Sequence, residues 1–211
     1  ICFGGTTALT FTLPAGTYDV VYTDGTTNFN ANGIVNGATV NVSPVANTTY
    51  TIVSVTNTAT LCSVTAPSPN ITGSAVITVN PLPDAAGVIS GSATVCQGQN
   101  AVVYSVASIV NATGYTWSLP SGATIVSGAN TNTITVDYDL TATSRNITVT
   151  GTNACGSGIV SANIPVTVNP LPLAAGTISG LTTVCQGQTG VSYTVPAIAN
   201  ATDYIWTLPS G

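Results

Sequence analysis

Five cysteines and six aspartates hold most of the reactive side chains in this 211-residue chain, which has no histidine, lysine or glutamate and a single arginine, Arg145. General acid–base catalysis draws most often on His, and otherwise on Glu, Asp, Lys, Tyr or Cys. With His, Lys and Glu absent and the cysteines committed to one another, no Ser–His pair, glutamate pair or phosphate-cradling glycine loop can be assembled. The sequence therefore predicts no catalytic residue, no cofactor and no enzyme activity. Asp137 and Asp139 flank Tyr138 and offer the oxygen chemistry that Ca²⁺ takes. At the end of a strand such a pair is more often a solvated turn, so no metal site is expected. Asp19, Asp24, Asp84 and Asp203 stand in loop contexts and are expected to be turn residues. One arginine cannot supply the basic field that nucleic acid requires.

The cysteines fall into a pattern. Cys2 and Cys62 are 60 residues apart, and Cys96 and Cys155 are 59 apart. The spacing predicts two disulfides, Cys2–Cys62 and Cys96–Cys155, each closing its own module. Cys185 repeats Cys96 after 89 residues. Its partner is expected beyond the last residue, near position 244 by the same offset, which leaves Cys185 unpaired by truncation. A zinc site is the alternative, but it lacks histidine and any CxxC pair. Disulfides point to an oxidising compartment outside the cytoplasm.

The elements that must position these residues are set by a repeat. Asn80–Gln99 (NPLPDAAGVISGSATVCQGQ) returns as Asn169–Gln188 (NPLPLAAGTISGLTTVCQGQ), identical at 16 of 20 positions. YTWSLPSG at Tyr115–Gly122 returns as YIWTLPSG at Tyr204–Gly211. A repeat of this length suits one small sandwich domain and is too long for a solenoid unit. The expected organisation is a module at 1–80, a Pro-rich joint at 81–86, a module at 87–169, a second joint at 170–175, and the start of a third module at 176–211. Strands are expected at Ala8–Leu13, Tyr18–Thr23, Gly33–Ile34, Thr39–Val42, Thr49–Thr56 and Ser74–Val79 in the first module. In the second they are expected at Gly87–Ser90, Ala101–Val106, Gly114–Leu119, Ala123–Ser127, Thr131–Tyr138, Asn146–Thr152 and Gly158–Val168. Alternation places Val103, Ile109, Tyr115 or Trp117, Ile125, Ile134, Val136, Ile147, Val149 and Val166 inward. The PLP tripeptides at the joints cannot donate to a ladder, so they end strands and favour a stiff, extended connector and an elongated array.

Only 3% of residues are charged, against about 25% in an ordinary globular protein; Thr, Asn, Ser and Gly must cover the surface instead. Disorder does not fit, because the chain is rich in alternating Val, Ile, Thr, Tyr and Trp. No apolar run approaches the roughly 18 residues of a spanning helix, so no membrane insertion is expected. A transmembrane barrel also alternates, but paired cysteines, Pro-rich joints and the Trp spacing favour sandwiches. Tyr104, Trp117, Tyr193 and Trp206 are expected to be core aromatics. The alternative is that Tyr115 and Trp117, with their copies Tyr204 and Trp206, form a platform for stacking sugars. The Asn-x-Ser/Thr triplets at Asn41, Asn47, Asn70, Asn111, Asn146 and Asn200 are expected by chance in so Thr- and Asn-rich a chain.

YTWSLPSG at Tyr115–Gly122 and NITVTGTNACG at Asn146–Gly156 resemble the PKD-like domain of the immunoglobulin-like superfamily, which pairs a Tyr-x-Trp strand with a late strand ending in Thr-Asn-x-x-Gly. The first module, with Cys2, YTDGT at Tyr22–Thr26 and ITVNPLP at Ile77–Pro83, resembles a related Ig-like repeat. Tandem modules joined by NPLP are similar to those of very large secreted surface proteins of Bacteroidota, among them gliding-motility adhesins exported by the type IX system. The resemblance implies an all-β chain of tandem immunoglobulin-like (PKD-like) β-sandwich domains. It further implies an extracellular, cell-surface stalk whose partners are neighbouring repeats of the chain, with surface polysaccharide or other surface proteins as further partners. A carbohydrate-binding or spacer module of a secreted polysaccharide-degrading enzyme is the alternative. The chain departs from antibody-type domains in placing Cys96 21 residues before Trp117, so the bridge is expected to staple one end of the sandwich. It also has Pro120–Gly122 where the PKD type has Gly-Asp-Gly.

Overall fold

Short alternating runs punctuated by Gly, Pro and Asn become strands because β-branched and aromatic residues fit a pleated, half-buried surface. The computed structural model describes residues 1–208, among which every regular element is a strand. The last residues of the Tyr204–Gly211 motif, 209–211, lie outside the described residues. The chain divides into two units.

Unit 1 comprises Ile1–Pro83 together with the short segments Asn111–Thr113 and Thr152–Ser157. Its strands are β1 (Thr7–Thr10), β2 (Tyr18–Thr23), β3 (Asn28–Ile34), β4 (Thr39–Val42), β5 (Thr48–Asn57), β6 (Ser63–Thr65) and β7 (Ser74–Ile77). β1 pairs with β4, and the other strands form a sheet of order β3-β2-β5-β6, in which β7 also pairs with β5. The core takes Leu9 and Val42 from the small sheet and Val20, Tyr22, Ala31 and Tyr50 from the large one, closed by Phe11 and Leu13. Tyr22 stacks on Phe29 with ring centroids 5.3 Å apart. The β2–β3 hairpin is tied by Asp24, whose Oδ1 accepts from the backbone N–H groups of Thr26 and Thr27 and from the Thr26 hydroxyl. These donors, the Thr27 N–H foremost, hold the Asp24 carboxyl below the usual carboxylate range.

Unit 2 contains β8 (Ser90–Gly91), β9 (Thr94–Cys96), β10 (Val102–Ser105), β11 (Gly114–Ser118), β12 (Ala123–Ser127), β13 (Thr133–Tyr138), most of β14 (Arg145–Asn153), and β16 (Ile164–Asn169). β15 (Gly156–Ser157) returns on β14 within unit 1. Two sheets, β12-β13-β10-β8 and β11-β14-β16-β9, make the sandwich. The opening strand of the repeat is split between them, β8 joining one sheet and β9 running parallel to β16 in the other. The first sheet supplies Tyr104, Ile134, Val136 and Tyr138 to the core, and the second supplies Val95, Ile147, Val149, Val166 and Val168. Removing such a set of apolar side chains from water is the main favourable contribution to this unit's stability.

Three expectations about burial require correction. Val103 is 53% exposed, because its neighbours Val102 and Tyr104 take the inward face and successive strand residues alternate. Tyr193 and Trp206 are 43% and 44% exposed. Their region has only β17 (Ser179–Gly180) and β18 (Tyr193–Thr194), paired as β8 and β10 are, and among the described residues no second sheet covers that pair. Tyr104 is fully buried, and Trp117 is partly buried against the unit 2 core.

Candidate functional site

The cysteines do not pair as their spacing predicts. Cys2 is bonded to Cys155, with Cα atoms 5.4 Å apart, while Cys62, Cys96 and Cys185 are free and exposed. Strand register explains why. In the second repeat Ile147 lies opposite Ile164. From that pair Cys96, opposite Asn169, is five residues along in one direction, and Asn153 at the end of β14 is six residues along in the other. At about 3.3 Å per residue the two ends are about 35 Å apart, whereas bonded cysteines need Cα atoms about 5.5 Å apart. The first repeat obeys the same geometry. Cys2 bridges Asn80, three residues past the Thr48–Ile77 pair, and Cys62 lies beyond Asn57, nine residues past it in the other direction. That separation is about 40 Å. The expected bonds Cys2–Cys62 and Cys96–Cys155 would each have had to span the length of a sheet.

The bond that forms is prepared by backbone and by one asparagine, all within unit 1. Phe3 N–H donates to the Asn80 carbonyl and Asn80 N–H to that of Ile1, both in 2.9 Å or less, which seats Cys2 beside the NPLP segment. Asn153 Nδ2 donates to the carbonyls of Pro81 and Asn111, each at 2.9 Å, and its Oδ1 accepts from Cys155 N–H at 2.8 Å. The hairpin is thereby held against the residue that follows Asn80, with Cys155 facing Cys2. Asn153 is the asparagine of the Thr-Asn-x-x-Gly pattern, to which the sequence alone assigns no role. The signal was present in the Thr-Asn dipeptide that precedes both hairpin cysteines, Thr56–Asn57 and Thr152–Asn153.

The aromatics turn their polar atoms inward. Tyr104 donates its only hydroxyl hydrogen to the Ser92 carbonyl at 2.9 Å. The Tyr138 hydroxyl, 2.9 Å from that of Tyr104, must then be the donor in their shared bond. Burial raises both phenols above the ordinary tyrosine range, and for Tyr138 the bond it donates adds to the rise. Tyr115 Oη accepts from Ile109 N–H at 3.1 Å, and Trp117 Nε1 donates to the Thr131 carbonyl at 3.0 Å. Neither ring of the supposed sugar platform is a free stacking face with an open polar edge; both pack in part against the core.

The aspartates act as turn ligands to backbone. Asp137 Oδ1 accepts from Ala101 N–H, and Asp139 Oδ1 accepts from the N–H and hydroxyl of Thr141. Among the described residues no three His, Cys, Asp or Glu side chains converge on a point that would hold a metal. No helix there is long and apolar enough to cross a membrane.

What the 89-residue repeat preserves is this internal framework. Tyr193 donates to the Leu181 carbonyl as Tyr104 does to Ser92. Tyr204 Oη accepts from Ile198 N–H as Tyr115 does from Ile109. Asn111 and Asn200 share a left-handed φ of 63° and 64°, and Asp84 N–H to Val110 recurs as Leu173 N–H to Ala199.

The chain is similar to solved fragments of titin: domains A168–A170, at 14% identity and TM-score 0.47 over 79% of this chain, and the I-band fragment I67–I69, at 15% and 0.46 over 93%. It is also similar to the ectodomain of mouse nectin-like molecule 4, Ig1–Ig3, at 17% and 0.37 over 82%. It spans 60%, 72% and 63% of those chains respectively. No curated protein matches it. The model of the PKD-like domain matches residues 82–166 and again 171–211, more than half of the sequence, and in phase with the repeat: the chain belongs to the PKD-like domain family.

Proposed function

We propose that this chain is a non-catalytic structural segment of a large secreted surface adhesin, a run of modules at 1–80, 87–169 and 176–211 that carries a binding activity away from the cell. PKD-like and Ig-like domains are in general structural or adhesive modules of extracellular proteins rather than catalytic ones. The observation that carries the proposal is what recurs at 89 residues: a framework of tyrosine-to-backbone bonds, with no cluster of three His, Cys, Asp or Glu side chains beside it among the described residues. A repeated binding site would repeat an outward chemistry, and here the repeated polar atoms are spent on the fold. The scarcity of charge fits a stalk whose neighbouring modules neither repel one another nor depend on salt. Gliding motility and export by a type IX system are the finer reading, supported by the NPLP-linked repeats alone. A glycan array on the whole chain tests the role. A stalk segment binds no saccharide, and a reproducible sugar ligand would favour the carbohydrate-binding alternative.

A further inference from the structure

Both halves of the Cys2–Cys155 bond occur more than once. Cys2 faces Asn80 in a parallel bridge, and Phe3 N–H donates to the Asn80 carbonyl. Cys96 faces Asn169 in a parallel ladder, and Gln97 N–H donates to the Asn169 carbonyl. In each case the residue three places on returns its N–H to the cysteine carbonyl, Gly5 to Cys2 and Gln99 to Cys96. Gln188 does the same to Cys185. Asn80 and Asn169 both open NPLP. On the other side, Asn57 ends β5 and Asn153 ends β14. Each Oδ1 accepts from the N–H two residues on, that of Ala59 or Cys155, and each cysteine precedes a short return strand, β6 or β15. The three free cysteines are therefore copies of the two bonded ones: Cys96 and Cys185 copy Cys2, and Cys62 copies Cys155.

The bonded pair is not drawn from one repeat. Cys2 precedes the first NPLP, and Cys155 lies in the hairpin one repeat further along the sequence. Within a repeat the two positions stand at opposite ends of a sheet, too far apart to bond. We propose that the cysteine facing each NPLP asparagine bonds the hairpin cysteine of the repeat that follows it. Cys96 is then the attachment point for the hairpin cysteine of a further repeat, near position 244 by the 89-residue offset. Cys62 is the attachment point for the early cysteine of a repeat before it. Each bond forms by thiol–disulfide exchange: two thiols lose two protons and two electrons to a disulfide oxidant, which leaves as two thiols, and oxidised glutathione serves as that oxidant in vitro.

The test lengthens the array. Residues 87–175 are inserted a second time after residue 175, the chain is folded with oxidised glutathione, and its disulfides are mapped by peptide mass spectrometry without reduction. The expected map keeps Cys2–Cys155, joins Cys96 to the hairpin cysteine of the inserted copy, and leaves Cys62 open to alkylation. A Cys96–Cys155 bond, an alkylated Cys96, or a Cys96 linked only between chains overturns the rule. Cys155→Ser in the 211-residue chain supplies a second arm that needs no insertion. Cys2 is expected to become alkylatable, and a Cys2–Cys62 bond in that variant would overturn the proposal. Neither arm depends on whether the protein is an adhesin.

Discussion

The Tyr138 hydroxyl donates to that of Tyr104 across 2.9 Å at the centre of unit 2, and Tyr104 passes its own hydrogen to the Ser92 carbonyl. This relay joins β13 to β10 and on to the bend between β8 and β9, where the opening strand changes sheets. Its two members are not equivalent. Tyr138→Phe removes only the outer donor and is expected to lower unfolding stability by about 1 kcal/mol. Tyr104→Phe leaves both the Ser92 carbonyl and the Tyr138 hydroxyl without their partner, for about 1–3 kcal/mol. Urea unfolding of the two variants should rank them in that order, and equal losses would show that the relay has no direction.

The same pair sets a response to alkali. Both phenols have folded-state pKa values raised above 10.0, chiefly by burial. Once the pH passes the unfolded value, the unfolded chain releases protons that the folded chain keeps, so stability falls with rising pH. The contribution is fully present below about pH 10 and is lost as the pH climbs toward the folded values. Unfolding midpoints are expected to be flat between pH 7 and 9 and to drop above 10. Tyr138→Phe should have the shallower drop.

Gly91 is placed by Tyr104. A Cβ built on Gly91 would come 2.2 Å from Tyr104 Cδ1, and the backbone there has φ of +158°. Gly180 meets Tyr193 in the same way, at 2.3 Å. Gly91→Ala must displace a fully buried ring and is expected to cost about 1–3 kcal/mol. Gly25→Ala meets nothing within 4 Å and serves as a control for backbone strain alone. If the two variants melt together, the ring contact is not the cause.

The Cys2–Cys155 bond joins residues 153 apart in sequence. Loops of that size place its contribution at about 2–5 kcal/mol, chiefly by constraining the unfolded chain. Cys155→Ser and reduction of the parent chain should lower the Tm by similar amounts. Cys62→Ser and Cys96→Ser, which remove free thiols, should leave it unchanged.

Period-two alternation and turn residues made much of the fold legible. Tyr18–Thr23, Thr39–Val42 and Ala123–Ser127 run in the structure as the sequence predicts, and Ile134, Val136, Ile147 and Val149 are buried as alternation requires. The strands of two or three residues were not legible. β6, β9 and β15 are too short to show a period, and they lie beside glycine and cysteine rather than in apolar runs. That gap matters, because β9 and β15 carry or flank the cysteines. Equal spacing of Cys2–Cys62 and Cys96–Cys155 invited pairing within a module. Only the register of β9 along β16, fixed by partners some 70 residues away, shows that such cysteines occupy opposite ends of a sheet. Val103 faces outward, against its expected inward position, for a related reason. In Val102-Val103-Tyr104 either phase is apolar, and the burial of Tyr104 against Ile134 decides it.

Arg145, the sole basic side chain, begins β14 and lies in register with Val166 of β16. A trypsin-like protease, which cuts after Lys or Arg, thus meets one cleavage point in the entire chain, with its peptide backbone already occupied by a neighbouring strand. Digestion there has to wait for β14 to peel away. A surface built on Thr, Asn and Ser therefore withholds from a whole class of degradative enzymes the residues by which they find their substrates.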